Sequence, residues 1–114
     1  MGILNYIPER GDIVKLDLSP TKGHEQSGYR PMLVVTLKKY NRLSGLMLIC
    51  PITRTVRNGM FEVSINTLKA KGVVLSDQVR TIDWKARKVK YIDEARHETV
   101  ADVCYRLQLL IKGE

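Results

Sequence analysis

Two stretches, "PMLVVTL" at 31–37 and "GLMLICPIT" at 45–53, are apolar at consecutive positions rather than at every second or third one. A strand sends successive side chains to opposite faces, so such a run must be buried on both, as a central strand of a sheet is. Pro31 suits the first residue of its strand, where no ladder hydrogen bond is asked of its nitrogen, and Pro51 argues for an end or a bulge just before Thr53. Around these two runs the pattern changes to strict alternation. In "DIVKLDL" (12–18) Val14, Leu16 and Leu18 alternate with Lys15 and Asp17, and in "MFEVSIN" (60–66) Phe61, Val63 and Ile65 face inward. "GVVLSD" (72–77) and "VRTIDW" (79–84) read as short strands broken around Ser76, Asp77 and Gln78.

The last segment has another period. Val100, Val103, Cys104, Leu107, Leu110 and Ile111 recur at helical spacing and form one apolar stripe, closed by Gly113. A sheet of five or more strands with a C-terminal helix across it is therefore predicted, a mainly β single domain over residues 1–114. It leaves polar loops at 19–30, 53–60 and 76–78 on the rim, where three strand ends can converge on one groove.

The chain has 114 residues, enough for one core and not for two, and no repeat or low-complexity linker divides it. Its N-terminal apolar patch is too short for a signal peptide or a membrane span, so a cytoplasmic protein without membrane contact is expected. Cys50 and Cys104 have no metal-ligand or redox spacing and read as small buried hydrophobes. Nineteen Lys and Arg against twelve Asp and Glu leave a net charge of +7, the footprint of a protein that meets nucleic acid or an acidic partner.

The loop "GHEQSGYRP" (23–31) concentrates chemistry. It sets His24, Glu25, Gln26, Tyr29 and Arg30, side chains that move protons or hold anions, between two glycines and a proline. The stretch around it, "ERGDIVKLDLSPTKGHEQSGYRPMLVV" at 9–35, followed by "PIT" at 51–53 and "GVVLSDQVRTIDWKAR" at 72–87, resembles, in order and spacing, the MazF/PemK (Kid, ChpB) toxins of bacterial toxin-antitoxin modules. That resemblance implies a homodimeric SH3-like or CcdB-like small β-barrel, an endoribonuclease that cuts single-stranded RNA at short sequences with no metal or other cofactor, and inhibition by a cognate acidic antitoxin. The alternatives it leaves are a non-catalytic RNA-binding module and a CcdB-like gyrase-inhibiting toxin of the same fold.

Within the "EQxGxRP" and "PxT" motifs the resemblance assigns catalysis to Glu25, Arg30 and Thr53. The types suit the reaction: a carboxylate can take a 2′-hydroxyl proton, a planar guanidinium can hold a pentacoordinate phosphate, and a hydroxyl can bond a phosphate oxygen. The PemK branch uses an Arg-x-Asp pair and a His. This chain keeps His24 and Asp77 but has Leu75 at the Arg position, which favours Glu25 and Arg30. His24 is left to share acid or base work or to be a hydrogen-bonded loop residue, and Asp77 to read a base or brace a loop. Gln26, Asn41, Arg54, Gln78 and Arg80 are candidate RNA contacts, with an ion pair the competing role for Arg80. Tyr29 and Trp84 are placed either on bases or in packing, and Trp84 inclines to packing.

Overall fold

A computed structural model describes residues 5–17 and 30–114. In chain order the elements are β1 (Asp12–Lys15), β2 (Pro31–Val34), α1 (Lys38–Ser44), β3 (Leu46–Thr53), β4 (Glu62–Asn66), β5 (Lys71–Leu75), a 3-10 turn at Ser76–Gln78, β6 (Arg80–Asp83), β7 (Lys90–Glu94) and α2 (His97–Lys112). The strands form one antiparallel sheet in the order β4-β5-β3-β2-β1-β7, with β6 also on β3.

The doubly apolar runs take the centre. Along β2, Met32 and Val34 enter one hydrophobic cluster, with Val14, Leu16, Met47, Ile49, Ile82 and Trp84. Leu33 and Val35 enter the other, with Ile13, Cys50, Ile52, Val63, Ile65, Val74 and Val103. Each face of the sheet thus has its own core, and neighbouring residues of one strand serve different ones. β1 departs from the one wet face that its alternation suggests, because Ile13 and Val14 are both fully buried.

Pro51 does not end β3. One edge of β3 pairs with β6 through Leu46–Ile49 and with β5 through Ile52 and Thr53, so the residue without an N–H falls where the partner on that edge changes. β3 therefore runs on to Thr53, and β5 closes tightly against its end. At Gly72, with φ 130°, an added Cβ would lie 2.0 Å from the Thr53 carbonyl oxygen, so only glycine permits that approach.

α2 packs across the second cluster, that of Leu33 and Val35, through Val100, Val103 and Leu107, and lies on β4 and the 3-10 turn. Gly113 ends it at a positive φ of 75°, which side-chain-bearing residues rarely adopt, its N–H reaching the Leu109 carbonyl. The distal part of its stripe is only partly covered by the described residues: Leu110 is 44% exposed and Ile111 80%.

Two elements carry no sequence pattern that announces them. α1 has a single buried residue, and that residue is polar. β7 is an edge strand of exposed and half-buried residues, paired to β1 with a register shift between Ile13 and Val14.

Asn41 is the anchor of α1, and here the structure corrects the RNA contact expected of it. Its side chain is fully buried, donates to the carbonyls of Pro8 (2.8 Å) and Thr36 (3.1 Å), and accepts from the Thr36 hydroxyl (2.6 Å). Its own carbonyl receives the Trp84 indole N–H at 2.9 Å and the Gly45 N–H at 3.0 Å. Every polar group of Asn41 is thus committed to holding α1 on the sheet. Trp84 packs in the core.

Candidate functional site

The end of β3 is where polar side chains converge. Arg30, exposed just before β2, and Thr53, half-buried at the last position of β3, open on one cleft of about 460 Å³. Its other walls come from the β3–β4 loop (Thr55, Arg57, Gly59, Met60, Phe61), from Glu62 and Leu75, and from Asp77 and Gln78 on the 3-10 turn. Residues from three parts of the sequence meet there because β3 and β5 pair up to Thr53 and Val73 and the loops begin at that edge.

Each wall has a brace. The Glu62 carboxylate accepts the backbone N–H groups of Arg57 (3.0 Å) and Asn58 (2.9 Å), curling the loop around an anion while Asn58 sits at φ 60°. Arg106 of α2 donates to the Met60 carbonyl and is itself held by Asp102 at 2.8 Å, so the helix fixes the far side of the same loop. The 3-10 turn is tied down by buried Ser76, whose N–H (3.0 Å) and hydroxyl (2.5 Å) both reach the Phe61 carbonyl. Asp77 and Gln78, next in sequence, are left exposed at the cleft.

Thr53 Oγ1 accepts the Thr55 N–H at 3.1 Å, which orients the hydroxyl and leaves its proton to donate. Arg30 also borders a second, smaller groove with Thr53 and Arg54, so Arg54 stands beside the cleft rather than in it. Arg80 is exposed on β6 and does not line the cleft. His24, Glu25, Gln26 and Tyr29 lie outside the described residues.

Nothing in the sequence reading singled out Glu62 or Arg106, and Arg57 stood out only as one of the clustered basic residues of "TRTVRNG". A charge on an alternating strand, such as Glu62, looks like any wet-face residue until its loop folds back on it. Among the described residues, no three His, Cys, Asp or Glu side chains come together as metal ligands would. Cys50 lies in the core, where burial pushes its thiol up to about 12; Cys104 is half-buried, and both are free. Among the described residues no helix is long and apolar enough to cross a membrane.

Comparison with known proteins bears directly on this geometry. Residues 9–111 match the family described as PemK-like, MazF-like toxin of type II toxin-antitoxin system. The endoribonuclease toxin MazF of Escherichia coli (strain K12) is 40% identical over 85 residues, which are 75% of this chain and 77% of the relative. The endoribonuclease toxin ChpB of the same strain is 40% identical over 110 residues, 91% of this chain and 94% of its own. Among solved structures, MazE-MazF (Form-III) from Deinococcus radiodurans matches with a TM-score of 0.86 at 35% identity, covering 96% of this chain and all of the other.

Proposed function

The chain belongs to the PemK-like, MazF-like toxins of type II toxin-antitoxin systems and is an endoribonuclease toxin of that family, and we propose that it cuts single-stranded RNA at short sequences through the RNA's own 2′-hydroxyl. The observation that carries this reading is the cleft itself, where Arg30 and Thr53 stand together at one strand end with Asp77 and Gln78 opposite.

In this reading Glu25 takes the 2′-hydroxyl proton as the 2′-oxygen bonds to phosphorus and the bond to the 5′-oxygen breaks. Arg30 holds the charge that gathers on the phosphoryl oxygens, and its planar fork suits two of them at once. The oriented Thr53 hydroxyl donates to the same group. His24, whose ordinary pKa is near neutrality, supplies the proton that the leaving 5′-oxygen needs. Asp77 and Gln78 face the bases, Gln26 and Arg54 serve the adjoining nucleotides, and Arg80, off the cleft, has at most a distant backbone contact.

The reaction makes a 2′,3′-cyclic phosphate and a 5′-hydroxyl and asks no metal or cofactor of the protein. A second copy of the chain completes the RNA groove, and an antitoxin with an acidic, extended segment closes it, since a basic concave surface attracts carboxylates as it attracts phosphates. The test is digestion of a long RNA by the pure protein in EDTA, with mapping of both new ends. Fragments ending in cyclic phosphate at a recurring short sequence are expected; intact RNA of varied sequence would make the protein a binding module.

A further inference from the structure

Beside the cleft lies a groove of about 320 Å³ whose lining is unusually one-signed. Five cationic side chains, Lys15, Arg30, Arg54, Lys69 and Lys71, border it with Thr53. No carboxylate among the described residues lines it. They come from the end of β1, the start of β2, the end of β3 and the β4–β5 turn, so four chain segments bring positive charge to one edge of the sheet.

The concentration continues past the groove. Lys15 stands directly opposite Lys90 in the β1–β7 ladder, a cross-strand pairing of like charges that costs stability. Asp93 reaches the β4–β5 turn from β7, where it accepts the Lys69 backbone N–H at 3.3 Å, but it does not enter the groove. Lys71 is aimed by hydrogen bonds from its ammonium to Asn66 Oδ1 (3.3 Å) and the Thr67 carbonyl (3.1 Å), neither of which neutralises it. Asp93 offsets part of the Lys69 charge, but with no carboxylate among the described residues lining the groove, cations gathered there are relieved by an anion that spans them. Since Arg30 and Thr53 border both the groove and the cleft, that anion is continuous with whatever occupies the cleft.

We propose that this groove is a second binding site, which holds the phosphate backbone of single-stranded RNA flanking the nucleotides that are cut, with Lys15, Lys69 and Lys71 as its phosphate contacts. The proposal rests on the RNA-cleaving reading above. Its consequence is that affinity depends on RNA beyond the recognised sequence, without further sequence preference, because ammonium groups read phosphates and not base edges.

The test uses two RNAs, one just spanning a mapped cut site and one with the same site and flanking nucleotides on both sides, each carrying a 2′-deoxy nucleotide at the cut for binding measurements. Wild-type protein is expected to bind the longer RNA more tightly. In the combined Lys15→Gln, Lys69→Gln, Lys71→Gln variant the advantage of the longer RNA should fall about tenfold, and the slope of log affinity against log salt should shrink by about 2. Arg at the same three positions should restore both, which separates charge from folding. An unchanged advantage in a folded Gln variant overturns the proposal. So does a loss confined to binding of an Asp/Glu-rich peptide, which would give the groove to an acidic partner. Should the wild-type protein leave all-ribose RNA of varied sequence intact, the cleavage reading fails and the flanking-strand proposal falls with it, an outcome distinct from an unchanged length advantage in a protein that cuts.

Discussion

Arg30 and Asn41 show how differently two polar residues of one chain are used. Arg30 is exposed and borders both concave surfaces at the end of β3; Asn41 is sealed in the core with every donor and acceptor engaged. If Arg30 stabilises charge that peaks in the transition state, Arg30→Ala lowers the cleavage rate by about a hundredfold or more. Arg30→Lys recovers little of it, because a point charge does not reproduce the fork. Melting temperatures close to wild type should accompany the loss, since an exposed residue ahead of a strand adds little to the core. Near-normal cleavage by folded Arg30→Ala would remove Arg30 from the mechanism. Glu25→Gln, measured beside it, should alter the acid limb of the pH-rate profile, as the loss of a general base requires.

The β3–β4 loop is an element without regular structure of its own, yet it is held at both ends. Glu62 collects two of its backbone N–H groups, and Arg106 reaches across from α2 to the Met60 carbonyl. A helix thereby sets one wall of the cleft at a distance from any reacting atom. Arg106→Ala should loosen that wall, and since small misplacements of positioning groups weaken catalysis steeply, kcat/KM should fall by about tenfold or more while the fold persists. Cleavage kinetics compared with a thermal melt check this. An equal kcat/KM in a folded variant would show that the loop keeps its place without the helix. Gly72 acts at the same scale, since it alone lets β5 approach the Thr53 end of β3.

For the molecule as a whole, the partly covered end of α2 is a feature that a lone chain does not explain. Leu110 and Ile111 continue the stripe that Val103 and Leu107 bury, but project beyond the described core with Tyr105 exposed nearby. Placed against a second copy, they lose apolar surface worth roughly 25 cal/mol per Å². Ile111→Lys should then shift the protein towards monomer, read by sedimentation at several concentrations, with the melting temperature becoming lower and less dependent on concentration. A variant that stays as associated as wild type would show that the end of α2 is not a contact between copies.

The two doubly apolar runs, short and bounded by Gly and Pro, by themselves pointed to β2 and β3 at the centre of a sheet, since a strand buried on both faces is apolar at consecutive positions. The change to helical period likewise determined α2, and the order of polar loops around "EQSGYRP", "PIT" and "SDQ" pointed to one rim. What only the tertiary structure decided is what non-local pairing decides. The Pro51 position is legible as a partner change only once β5 and β6 are both on β3. α1 has no apolar stripe because its anchor is a buried amide, and β7 no alternation because it is an edge strand. Glu62, Arg106 and the cations Lys15, Lys69 and Lys71 read as solvated charges along the chain. They become braces and a groove when loop, helix and strand ends are brought together, because charge acts through space and sequence position does not record distance.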